Sequence, residues 1–109
     1  MSKSVLETLE AARKLITPEE AWLTGGRTTR TAGGEFCTFS YPGAASFCAM
    51  MAINRVSPED REHKKAVFGL MDKVCGMPFD TYNDTHTHKQ VLAAFDAAIE
   101  KANQDRSDV

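Results

Sequence analysis

Between Gly43 and Asn54 runs Ala44-Ala45-Ser46-Phe47-Cys48-Ala49-Met50-Met51-Ala52-Ile53, in which only Ser46 is polar. A helix that is apolar nearly all round belongs inside a protein rather than on its surface. The rest of a short chain must then be arranged around this run, and its alanines let neighbouring elements approach closely. The segment predicts a buried central helix.

Its neighbours read as amphipathic helices. Ser4-Val5-Leu6-Glu7 has capping-box spacing, and Val5, Leu9, Ala12 and Ile16 then share one helical face. Thr17-Pro18 ends that helix, since proline disfavours a helical residue before it, and opens a short new turn closed by Glu20. Ser57-Pro58-Glu59-Asp60 is the strongest helix start: serine as cap, proline first, two acids at the positive end of the dipole. Val67, Leu70, Met71 and Val74 form its buried stripe, and Gly76 is placed to end it. Thr87 and Gln90 make another capping box before Val91, Leu92, Phe95, Ala98, Ile99 and Ala102. Met50, Met51, Met71 and Met77 are core filler at this spacing.

Only the stretch from Trp22 to Tyr41 breaks the helical pattern. Gly33-Gly34 separates two β-prone runs, Thr28-Thr29-Arg30-Thr31 and Glu35-Phe36-Cys37-Thr38-Phe39. This is a hairpin signal, the alternative being an ordered loop. The reading is a mainly α (α+β) fold: about four helices packed around an apolar central helix, with a small β-hairpin near residues 27–39. The 109 residues form one domain, 1–109, with a polar, frayed tail from about 103.

Charge and cysteine content narrow the function classes. A net charge of −2 argues against a whole-surface nucleic-acid binder, which leaves nucleic acid a disfavoured partner. Cys37, Cys48 and Cys75 are odd in number with no CxxC pair, so neither a zinc ribbon nor a disulfide framework is expected. No stretch approaches the ~20 apolar residues of a membrane span, and the start has no apolar signal core. A cytoplasmic protein without cofactor is the expectation.

Two blocks carry a resemblance. Phe47-Cys48-Ala49-Met50-Met51-Ala52 is similar to a Trp-Cys-x-x-Gly-Ala block on a central helix, and Tyr82-Asn83-Asp84, then Thr87 and Val91-Leu92, is similar to a Trp-Asn-Asp block leading into a last helix. Trp22-Leu23-Thr24-Gly25 stands where the same family has Gly-Trp-x-x-Gly. The chain thus resembles a family of small bacterial and phage proteins catalogued as a domain of unknown function. Phe47 and Tyr82 replace tryptophans, and Ala52 follows Met51 where glycine is usual. The resemblance implies a shared helical fold and a bacterial or phage source, and carries no activity to transfer.

The most polar cluster is Asp80 to His88, where Asn83 and Asp84 are suited to shape a turn before a helix. A catalytic reading pairs Asp84 with His86 or His88 and brings in Cys48 as nucleophile, yet Cys48 sits in the most apolar run, where a thiol is inert. A metal reading uses His86 and His88, with Asp84 and His63. His63 falls on the buried stripe of its helix, where a histidine bonded to a neighbour is the default. Arg27 and Arg30, extended by Arg13 and Lys14, offer a phosphate-binding patch; a solvated hairpin is the default there.

The leading expectation is a non-catalytic interaction protein of bacterial or phage origin. It binds a host protein through residues 22–41, with Trp22, Arg27, Arg30 and Tyr41 as contacts. The alternative is a small ligand-binding or hydrolytic domain using Asp84, His86, His88 and Cys48. The oligomeric state is open.

Overall fold

A computed structural model describes residues 3–107, with side chains to Gln104. Five α-helices and a two-stranded antiparallel sheet follow in the order α1 (Val5–Leu15), a 3-10 turn (Glu19–Ala21), β1 (Thr29–Thr31), β2 (Ala44–Phe47), α2 (Ala49–Val56), α3 (Arg61–Cys75), α4 (Phe79–Thr85) and α5 (His88–Ser107). The fold is mainly α with a small β-hairpin, as the patterning predicts. α1 packs on α2 and α5, and α3 lies against α5. Their shared core is Leu9, Ala12 and Ile16 with Ala52 and Ile53, Val67 and Met71, and Val91, Phe95 and Ala98. α5 continues through Ser107, across the polar tail read from 103; residues 108–109 of that tail, like Met1 and Ser2, lie outside the described residues.

Local signals behave as their chemistry requires. Ser4 and Glu7 close the capping box of α1, with Ser4 Oγ accepting from Glu7 N at 3.1 Å and Glu7 Oε1 from Ser4 N at 3.0 Å. Thr87 and Gln90 do the same at α5, at 3.2 and 2.9 Å. Gly76 ends α3 with φ +70°, a conformation that favours glycine.

The apolar run, however, is split. Ala44–Phe47 is strand and only Ala49–Val56 is helix, with Cys48 as the cap between them. An extended partner is available in the threonine-rich β1, and its backbone groups satisfy those of 44–47: Thr29 pairs with Phe47 and Arg30 with Ser46. The shorter α2 still has its inner face sealed, with Ala49, Ala52 and Ile53 all at most 1% exposed. The chain also turns at Gly33-Gly34, where Thr31 N donates to Glu35 O and Cys37 N to Thr29 O. That return arm makes one bridge, Arg30 with Phe36, so β1 lies between it and β2. Trp22 bridges the other edge of β2 at Phe47.

A second difference concerns α3. Asp60, not Ser57, caps it, its Oδ1 accepting from Glu62 N and His63 N at 3.0 and 3.3 Å. Ser57 is held extended before Pro58 and instead closes α2, donating its hydroxyl to Ile53 O at 2.6 Å. At the 3-10 turn Thr17 likewise gives no cap, because its hydroxyl donates back to Arg13 O. Gly69, inside α3, is disfavoured there by about 1 kcal/mol relative to alanine.

Candidate functional site

Asn83 joins three segments far apart in the chain. Its Oδ1 accepts from the Trp22 indole N–H at 2.7 Å and from Ala49 N at 3.2 Å, while its Nδ2 donates to Leu23 O at 2.9 Å. The side chain is 2% exposed, so each of these bonds replaces water that burial removes. α4 makes this possible. The segment read as a turn is a seven-residue helix, anchored where Phe79 N donates to Asp72 Oδ1 at 2.8 Å. A helix aims Asn83 inward and Asp84 sideways. The exposed Asp84 carboxylate accepts from Gly25 N and Gly26 N at 3.0 and 2.9 Å. Both glycines have positive φ, +92° and +97°, which side-chain-bearing residues rarely adopt.

The histidines near this junction also hold backbone. His88 Nε2–H donates to Ile16 O at 2.7 Å, and its ring is tilted against Trp22 at 5.3 Å between centroids. His86 stacks on Tyr82 at 3.7 Å, its Nδ1–H donating to Tyr82 O at 3.0 Å. His63 meets Thr8 across the α1–α3 packing, 2.7 Å from Nε2 to Oγ1. Cys48 is 2% exposed and its Sγ accepts from Met51 N. None of the three histidines is bonded to Cys48. Among the described residues no three His, Cys, Asp or Glu side chains are grouped to hold a metal ion. Cys75 is a thiol held back from ionising: burial first and Asp72 second push its pKa from 9.0 up to about 11.

Residues 32–43 are arranged differently. Phe36 is 68% exposed and Tyr41 49%, in a loop whose backbone is tied down from two sides. Arg55, from α2, donates to Phe39 O and Tyr41 O at 2.9 and 2.7 Å. Arg30 donates to Gly34 O at 2.6 Å and lies over the Phe36 ring at 3.9 Å. Lys64 approaches the Phe39 ring at 5.4 Å. Gly43 leaves room for the Tyr41 ring, which a Cβ there would meet at 2.7 Å. A recess of about 540 Å³ beside the loop is lined by Glu20, Ala21, Thr31, Ala32, Ala45 and Ser46, among others.

Of the four contacts expected from the sequence, Arg27 and Tyr41 are exposed, whereas Trp22 and Arg30 are half-buried and bonded to other parts of the chain. Arg30 is engaged because Gly34 turns the chain back and delivers both a carbonyl and an aromatic face to it. Arg13 is likewise removed from any phosphate patch by a two-pronged bond to Asp96, at 2.8 and 3.2 Å, which raises its pKa further. Sequence reasoning passed over Arg55, which carries no local signal, and Phe36, whose place in a β-prone run disguised it.

No curated protein and no solved structure matches the chain. A family described as being of unknown function, DUF6197, matches residues 1–101, and the chain belongs to it.

Proposed function

We propose that this member of the DUF6197 family is a non-catalytic interaction protein that binds a protein partner through residues 22–41, with Phe36 and Tyr41 as the anchoring side chains. The observation that carries the reading is the combination of exposed aromatic rings with a restrained loop. Large apolar rings left in water favour a partner surface, and aromatic residues dominate the binding energy of many interfaces. A loop held by Arg55 and Arg30 loses less freedom on docking than a free one. Arg27 and Glu35, both exposed, supply charge at the rim. A bacterial or phage source and a host partner belong to the same proposal and rest on the resemblance, and a cytoplasmic location is proposed with them. Among the described residues no helix is long and apolar enough to cross a membrane.

The alternative, a ligand-binding or hydrolytic role for Asp84, His86, His88 and Cys48, draws no support from polar atoms already engaged with backbone. The test is capture from a native host extract by the wild type and by a Phe36→Ser, Tyr41→Ser double variant of equal thermal stability. Proteins retained by the wild type and lost by the variant support the proposal. Identical captured sets overturn it.

A further inference from the structure

Gly69 breaks a helix rule with no reason inside the monomer. It is exposed in the interior of α3, and a Cβ built there meets nothing within 4 Å. Its φ is not among the positive ones, so neither conformation nor packing calls for glycine. Around it lies a groove of about 900 Å³ on the outer side of α3, whose lining includes Lys65, Phe68, Gly69 and Asp72. Phe68 is half-buried: its ring packs on Phe79 at 5.5 Å, and its remaining surface faces the groove.

Two charges of the groove lining, one on each side of the glycine, are self-complementary. Lys65 stands four residues before Gly69 and Asp72 three after, both exposed. At a rise of 1.5 Å per residue they lie about 6 and 4.5 Å to either side. We propose that α3 pairs antiparallel with α3 of a second copy of this chain, crossing at Gly69. A twofold axis through that point sets Lys65 of each copy against Asp72 of the other, offset by about 1.5 Å along the helix, well within the reach of a lysine stem. Two opposite-charge pairs then close one isologous contact. A parallel pairing would set lysine on lysine and aspartate on aspartate, so the pattern selects the antiparallel one. The absent Cβ lets the two axes approach closely, because interaxial distance depends on the side chains at the crossing. A single helix pair buries an area at the low end for specific interfaces, below about 1,200 Å², so the dimer is weak and reversible.

This contact uses different residues from the 22–41 segment, and either proposal stands or falls without the other. Sedimentation equilibrium of the full chain, from low micromolar to near-millimolar protein, is the test. A reversible monomer–dimer equilibrium is expected for the wild type. Gly69→Gln is expected to weaken it by about tenfold or more while raising Tm, since the side chain enters open space and favours the helix. Lys65→Glu and Asp72→Lys should each be monomeric alone, and an equimolar mixture should pair again, because both opposite-charge contacts are restored across the mixed dimer. Asp72 also accepts from Phe79 N, so melting curves establish that its variant is folded; should it unfold, Gly69→Gln and Lys65→Glu decide the question. A wild type that stays monomeric throughout, or a dimer that Gly69→Gln leaves unchanged, overturns the proposal.

Discussion

The Asn83 junction and the 32–43 loop are both fixed by side chains bonding to backbone. They differ in what they leave over. At the junction Asn83 is consumed by Trp22, Leu23 and Ala49, and Asp84 by two glycine amides. In the loop the polar backbone is consumed by Arg30 and Arg55, while two aromatic rings stay in solvent. A carboxamide and a carboxylate bonded in this way are structural devices, however catalytic the residue types around them look. An apolar surface on a restrained loop has no comparable role within the monomer.

That contrast predicts a steep difference in sensitivity. Asn83→Ala leaves the Trp22 indole N–H, Ala49 N and Leu23 O without their partner, and a buried group so orphaned costs about 1–3 kcal/mol. With three such groups and some relief by water, a loss of about 3 kcal/mol is expected in urea unfolding. Labelling of Cys48, sealed beside Ala49, should accelerate strongly in this variant, while labelling of Cys37 on the return arm changes little. Equal acceleration at both cysteines would mean that junction and loop open as one unit, and the comparison would fail.

Arg55→Ala probes the other side. It removes the donor for Phe39 O and one of two donors for Tyr41 O, which keeps Ala44 N; water takes over part of the lost bonding. A loss of about 1–2 kcal/mol is expected. Amide exchange should rise within residues 38–43 and remain slow around Asn83. Exchange that rises at the junction instead would place the restraint of the loop elsewhere.

Much of this was legible in sequence where chemistry is local. The capping boxes at Ser4 and Thr87 and the terminator Gly76 each need only residues within one turn, and each formed. The helix read from Ala44 was half right, because residues 44–47 satisfy a strand in an element more than a dozen positions away, and hydrophobicity alone does not distinguish a buried strand from a buried helix. The resemblance drew attention to Trp22, Cys48-Ala49 and Asn83-Asp84 separately. That one carboxamide ties all three together follows only from the α4 geometry. Arg55 was invisible for the same reason, since its partners are carbonyls, which every residue possesses.

β1 links the two regions and offers a change of opposite sign. The Oγ1 atom of Thr29 is buried without a partner among the described residues, on a side chain 3% exposed. Thr29→Val keeps the β-branched shape that suits a strand and replaces the hydroxyl by a methyl group. A gain of about 1 kcal/mol is expected, since an unsatisfied hydroxyl loses its hydration on folding and recovers nothing. Thermal melting checks it, and a loss of stability would show that the hydroxyl is satisfied in solution by a group that valine displaces.

The smallest expected effect discriminates most. Phe36 is 68% exposed, with the Arg30 guanidinium over the face of its ring. An exposed cation–π contact contributes about 0.5–1 kcal/mol, and Arg30 keeps its bond to Gly34 O when the ring is removed. Phe36→Ser should therefore shift stability by no more than about 0.5–1 kcal/mol, well below the loss at Asn83. A loss near that of Asn83→Ala would make the ring a structural element, folded over in solution rather than displayed. Near-neutrality would leave a large aromatic side chain in water that the monomer does not need, which is the condition the interaction reading requires.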